Sequence, residues 1–542
     1  MRGYMNQRLS CLLLFGATAL ISLGYGLYVI ALDYMDYPKY LPDDAFYYLQ
    51  VARVLSEHGL YSFDNGFSLN TGFHLWWFYH VAALSALLAG EPAALLTAAT
   101  ASGWLISLAT LVLAAVYCYR YFPAALAVIA VMLSGYSFLN GQIAAMEWPL
   151  CIAISTLIYL ALIKPQQTPR ASVFVILGLL GSLARSDFGG ISVALLAAAY
   201  LTNLLVKDRS AITAAWSLFA GALLGFALVC LHNYLIAGDW LSTSARMKRH
   251  WGSVAPINPF APILQFVRCV IYIVPLSEAE RAALRQQLSG WLYIVPWLLL
   301  ISAIAGWVLR RRLIMAVGSS TRRLVNNPRI LCLSLAALFS IGGYLAVYSL
   351  NTMGMQSWYS AHVFVPIGFF LMLLMHALAT VSVRAFVLAI GICLAIIITN
   401  FYVFFTAPAT YAHQVHLRDL GLAVADGVQN GKLPAVVGLS DAGLAGFYSD
   451  GHVVNLDGLV NRDIAKYFPD RLPCYFYDSQ LELAGRFGTT ERLGNKIAWQ
   501  QFSEDFGYRS DAGPSIRLRR LDREKIDTIY GCSESPRRKE GM

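Results

Sequence analysis

Asp43 and Asp44 are adjacent carboxylates that follow Pro42 and precede Ala45-Phe46-Tyr47-Tyr48-Leu49. A carboxylate can take the proton from an attacking hydroxyl, a contribution of about 10²–10⁴-fold to rate. Two side by side can also hold a divalent cation through their oxygens. The competing reading is a helix start, where Asp is favoured as a cap, because Phe46, Leu49 and Leu55 are spaced like one helical face. A lone Asp would favour the cap. A pair set behind a proline and followed by aromatic residues favours chemistry.

The elements that must position these acids lie in a bilayer. The chain has 542 residues, 58% of them hydrophobic and 13% charged, with a mean hydropathy of +0.56. Soluble domains carry roughly a quarter charged residues. Apolar runs of about 20 residues, enough for a spanning helix, recur at 9–32, 211–236, 291–309, 330–350 and 385–405. About 11 to 13 spans are expected from length. The run at 9–32 is too long for a cleaved leader, so it reads as a retained first span. The net charge of +9 does not indicate nucleic acid, because Lys and Arg concentrate in short loops between apolar runs, where they set topology.

Putting the loops 164–170, 207–209 and 310–329 and Arg384 in the cytoplasm, with Arg2 and Arg8, places segments 33–74, 237–290 and 407–542 outside. Whether residues 73–90 cross stays open, since that run is short and contains His74 and His80. Arg246 and Lys248 then break the charge bias of outer loops. They suit a lipid phosphate, or anionic headgroups. Glu147 stands at a membrane boundary, where an acid is costly unless used or paired. Arg185 and Asp187 interrupt an apolar hairpin; they either contact a ligand or pair with each other.

After residue 406 charges, Gly and Pro become frequent. The segments 434–440 and 453–456 read as short buried strands around a helix-compatible stretch. The expected architecture is a transmembrane module over 1–406, with a small α/β domain over 407–542. Cys474 and Cys532 fall in that domain. A bridge between them would close a loop of about 58 residues; the alternative is two unrelated thiols.

The loop around Asp43-Asp44 resembles the GT-C superfamily, whose members use polyprenyl-phosphate sugars and carry an acidic pair of catalytic importance in the first outer loop. The resemblance extends to Asn70-Thr71-Gly72-Phe73-His74-Leu75-Trp76, although Thr and Asn are exchanged and a proline is absent. It extends further to Met146-Glu147-Trp148-Pro149-Leu150, Ala184-Arg185-Ser186-Asp187 and Gly238-Asp239-Trp240 with Arg246 and Lys248 after it. In the tail, Asp457-Gly458-Leu459-Val460-Asn461 is similar to a motif of C-terminal outer domains. Mycobacterial arabinofuranosyltransferases share that architecture.

The resemblance implies an all-α polytopic GT-C fold with a C-terminal extracytoplasmic α/β domain in a bacterial cytoplasmic membrane. It implies Asp43 or Asp44 as base, Arg246 and Lys248 on the donor phosphate, and His74, Glu147, Arg185, Asp187 and Asp457 around the substrates. The partners expected are a polyprenyl-phosphate sugar, a glycan, lipid or protein acceptor, and membrane lipids. No cofactor is required, and a divalent cation on Asp43 and Asp44 is the one metal site suggested. A transporter or flippase, and a non-catalytic envelope assembly protein, are the other readings. Neither accounts for paired acids next to an outer domain as simply.

Overall fold

The computed structural model describes residues 2–163, 170–254, 327–350, 361–381, 383–406, 411, 414–467, 471–485, 501, 503–510 and 515–533. The apolar run 291–309 and the part of the expected outer segment beyond residue 254 lie outside the described residues. In chain order the helices are α1 (Arg2–Ile30), α2 (Asp43–His58), α3 (Leu75–Leu87), α4 (Pro92–Tyr121), α5 (Ala125–Ser134), α6 (Tyr136–Gly141), α7 (Trp148–Ile163), α8 (Ala171–Ala184), α9 (Gly189–Val206), α10 (Ile212–Ala237) and α11 (Thr243–Val254). They continue as α12 (Pro328–Leu350), α13 (Ala361–Val381), α14 (Val383–Thr406), α15 (Val415–Gln429), α16 (Gly443–Tyr448), α17 (Leu472–Ser479) and α18 (Arg523–Tyr530). Five strands complete the described elements: β1 (Val437–Leu439), β2 (Val453–Asn455), β3 (Leu483–Gly485), β4 (Ser503–Arg509) and β5 (Ser515–Leu521).

The contacts divide the chain into two units. The first draws on residues 1–32, 100–229 and 257–408; the second on 33–99, 230–256 and 409–542.

The first unit is helical. The apolar runs at 9–32, 211–236, 330–350 and 385–405 form α1, α10, α12 and α14. Among the described residues, Arg8–Ile30, Pro92–Tyr121, Ser186–Val206 and Ile212–Ala237 are long and apolar enough to cross a membrane. Leu20, Leu105 and Leu223 are exposed on these helices, an outer surface suited to lipid, since helices satisfy their backbone groups internally. Inside, α5 packs on α1, α13 and α14, and α9 on α12. Polar side chains tie the helices together: Ser22 Oγ donates to the Leu133 carbonyl at 3.0 Å, and Asn400 Nδ2 to Ser134 Oγ at 2.8 Å.

The second unit holds α2, α3, α11 and the sheet. Helix α3 has 13 residues. At ~1.5 Å per residue it is shorter than the roughly 30 Å hydrocarbon core. Every residue of α2 from 45 to 54 is buried, because α3 and α16 cover it. The sheet order is β2-β1-β3-β5-β4. Strand β1 pairs in parallel with β2 and β3, whereas β5 pairs antiparallel with β3 and β4. The expected strands at 434–440 and 453–456 are β1 and β2, with α16 between them. The β4–β5 hairpin had no apolar signature: Glu504, Asp505, Arg517, Arg519 and Arg520 fall within it, and Arg519 Nη1 donates to Asp505 Oδ1 at 2.7 Å.

Cys474 on α17 and Cys532 after α18 form a disulfide with a Cα–Cα distance of 5.2 Å, inside the apolar cluster of Val454, Leu472, Phe476 and Ile526. It ties the last described helix back to the centre of the unit. Replacing both cysteines by Ser is expected to lower unfolding stability by about 2–4 kcal/mol, read as a shifted denaturation midpoint of the purified chain. Full labelling of both thiols in unreduced protein from cells would refute the bridge.

Candidate active site

Asp43 is the first residue of α2, behind Pro42 in extended conformation. Its carboxylate does not cap its own helix. Oδ1 accepts the Leu444 N–H at 2.7 Å and Oδ2 the Gly443 N–H at 3.2 Å, so it meets the first turn of α16. A Cβ at position 443 would strike the Asp43 backbone oxygen, and only glycine permits this approach. At the other end of α2, Arg53 pairs with Asp450 and lies over the Phe447 ring at 5.8 Å. Helix α2 thus grips α16 at two points.

One turn beyond Asp43, Tyr47 is buried. Its Oη accepts from the Ala442 N–H at 2.9 Å and from Asn455 Nδ2 at 3.1 Å, and donates to Asp457 Oδ2 at 3.3 Å. Asp457 also accepts the N–H groups of Leu459 at 2.9 Å and of Asp441 at 3.3 Å. Asp441 sits in the left-handed region at φ 48°, a conformation Asp tolerates better than most residues.

Burial pushes the Asp43 carboxyl up to about 7. The Asp44 and Asp441 charges add to the rise, and the two backbone N–H groups oppose it. Burial likewise pushes Asp457 up to about 6, with the Asp441 charge behind it. Tyr47 is held protonated, first by burial and then by the surrounding carboxylates, so it stays a donor to Asp457. A carboxyl poised near neutrality and set among like charges suits general-base work. Both oxygens of Asp43 already accept backbone N–H groups. Among the described residues no group of three or more His, Cys, Asp or Glu is placed to hold a metal ion.

The acids meet the basic helix α11 at one contact. Gly458 follows Asp457 with φ 83°, and a Cβ there would enter the Met247 side chain. Arg246 and Lys248 flank Met247, but two residues apart on a helix they point about 200° from each other. The helix therefore does not bring them to one face. Arg246 pairs instead with Asp239. His74 precedes α3, where its backbone N–H donates to Tyr48 Oη at 3.3 Å.

Glu147, Arg185 and Asp187 come together in the first unit. Arg185 Nη1 donates to Glu147 Oε1 at 2.9 Å, while Nε and Nη2 reach the two oxygens of Asp187 at 3.0 and 3.1 Å. His362 Nε2 lies 3.0 Å from Asp187 Oδ1, and Tyr344 Oη donates to the Asp187 carbonyl at 2.6 Å.

Sequence reasoning missed Tyr47, Asp441, Asn455, Tyr344 and His362 as members of these clusters. Tyr47 and Asn455 stood inside the two motifs. Nothing local marked His362.

In fold the chain is similar to ArnT of Cupriavidus metallidurans. The structure of that protein bound to undecaprenyl phosphate aligns with a TM-score of 0.52 at 11% identity, covering 94% of this chain and 97% of the other. Its apo structure gives 0.51 at 12% identity, with 95% and 98% covered. An oligosaccharyltransferase of Archaeoglobus fulgidus, in complex with Zn and sulfate, gives 0.49 at 12% identity over 92% of this chain and 72% of that one. Residues 408–506 match a domain of unknown function, DUF8728. No curated protein matches the chain in sequence. A polytopic helical module with a small C-terminal sheet, aligned over nearly its whole length with ArnT, has the GT-C fold.

Proposed function

We propose that the chain is a membrane glycosyltransferase that moves a sugar from a polyprenyl-phosphate donor to an envelope acceptor. The acceptor is a glycan, lipid or protein, met on the outer face of the cytoplasmic membrane, where residues 407–542 also lie. The observation that carries this reading is the contact of Gly458 with Met247, which sets a carboxylate cluster titrating near neutrality beside a basic helix. General-base chemistry on a hydroxyl and neutralisation of a phosphate leaving group need those two elements together. The undecaprenyl phosphate bound by ArnT, a protein of the same fold, supports a donor of that class.

In the reaction, the Asp43 carboxylate takes the proton of the acceptor hydroxyl. The hydroxyl oxygen bonds to the anomeric carbon as the bond from that carbon to the phosphate oxygen breaks. The polyprenyl phosphate leaves with the bonding pair, its charge balanced by Arg246, and one displacement inverts the anomeric centre. Tyr47, Asn455 and Asp457 hold the strand-end loops against α2, so that Asp43 keeps its place. The test is direct: purified chain, radiolabelled polyprenyl-phosphate sugar and a membrane extract, scored for label in a new product. Labelled lipid that crosses the bilayer with its sugar intact would replace the transferase by a flippase.

A further inference from the structure

Thr71, Asp239, Thr243, Arg246 and Arg462 line one recess in the second unit. Arg246 lies one turn into α11, and Arg462 follows the tail motif. The Arg462 backbone N–H donates to the Leu69 carbonyl at 3.0 Å, which fixes that arginine against the first outer loop. Thr71 and Thr243 pin the start of α11 to the same loop: each hydroxyl accepts the other's backbone N–H at 3.2 Å. The hydroxyls are 3.2 Å apart. A bond between them uses one hydroxyl proton, and the other stays available to an acceptor.

Two guanidinium groups facing one recess repel. Burial and the Arg462 charge both work against the charge of Arg246. Asp239 offsets this by pairing with Arg246. Arg462 faces Asp463 at 3.5 Å, a partly exposed pair of the weak kind. Arg246 and Asp239 both line the recess, so a phosphate that binds Arg246 competes with Asp239 for it.

We infer that Arg246 and Arg462 together bind a phosphate monoester in this recess, and that Asp239 is the counter-ion it displaces. The tail domain thereby supplies half of the phosphate site, the half that Lys248, on another face of α11, does not. Planar guanidinium forks suit a phosphate better than a point charge does. The inference rests on the transferase reading and deepens it. The phosphate belongs either to the polyprenyl lipid or to a phosphorylated acceptor.

The test measures binding to the full chain in nanodiscs, with undecaprenyl phosphate, undecaprenol and inorganic phosphate as probes. Arg462→Ala is expected to weaken phosphate binding about 10- to 100-fold, the range of hydrogen bonds to charged groups. Arg462→Lys should recover part of that, and Asp239→Asn should tighten binding several-fold. Loss for undecaprenyl phosphate with undecaprenol unchanged assigns the site to the lipid. Loss for inorganic phosphate alone assigns it to the acceptor. Unchanged affinity in both Arg462 variants, or weaker binding in Asp239→Asn, overturns the site; should Arg462→Ala fail to fold, Arg462→Lys and Asp239→Asn decide. Arg462-dependent binding without sugar transfer would keep the site and remove the transferase. Transfer with affinities indifferent to Arg462 and Asp239 would do the reverse.

Discussion

Asp43→Asn is expected to leave insertion and fold in place and to cost at least about a hundredfold in turnover, the lower part of the range for a general base. The substitution is nearly isosteric: its amide oxygen can still accept the Leu444 N–H, and only the longer bond from the Gly443 N–H is lost. What disappears is the proton acceptor. In the native chain transfer should rise with pH and level off above an apparent value of about 7, where Asp43 ionises. Asp441→Asn removes a charge that raises it and should move the rise to lower pH. Stability runs the other way. An unfolded Asp titrates near ~3.9, so between that pH and about 7 the folded chain keeps a proton that the unfolded chain has lost. This contribution is fully present at low pH and fades as pH rises through that window. Asp43→Asn should therefore flatten the melting temperature over the window in which wild type declines. Near-normal turnover in Asp43→Asn, with Asp44→Asn also active, would sink the assignment.

The helical module was legible because lipid demands long apolar helices, and composition alone reports them. Asp43 and Asp44 were legible because an acidic pair beside a proline is unusual in such a chain. Their partners were not. Tyr47 and Asp457 are separated by 410 positions, and only the packing of α2 on α16 brings them together. Arg246 and Lys248 looked like one basic site while the segment was read as a loop; its folding as α11 turns them apart, and the second arginine comes from position 462. Strands β1 and β2 were readable from Val and Leu runs. The β4–β5 hairpin was not, since the apolar residues it buries, Tyr508, Leu518 and Leu521, stand among charged residues such as Glu504, Asp505, Arg517 and Arg519.

Arg185→Ala is expected to cause the largest stability loss of any single change considered, about 3–5 kcal/mol, because it takes the Arg185 cation from the buried Glu147 carboxylate. Glu147 and Arg185 are each about 2–3% exposed at the side chain. Every nitrogen of the guanidinium fork donates to an acid of this chain, which leaves little for a substrate. The geometry is that of a clasp. Arg185 lies in the break between α8 and α9, Glu147 just before α7, and Tyr344 and His362 on α12 and α13; those rings stack at 4.8 Å. The clasp joins elements that span more than 200 positions of chain. Glu147→Gln distinguishes it from a ligand site. Its amide oxygen can still accept from Arg185, and Arg185 and Asp187 remain as a neutral pair, so unfolding in detergent should shift by less than about 1 kcal/mol, the scale of a neutral hydrogen bond. Transfer per folded molecule should stay near wild type. The double change Arg185→Ala with Glu147→Gln should be less damaging than Arg185→Ala alone, since one uncompensated charge is gone. A Glu147→Gln enzyme that melts normally and yet transfers no sugar would show that Glu147 acts on a substrate, and the clasp would then be a secondary role of an active-site acid.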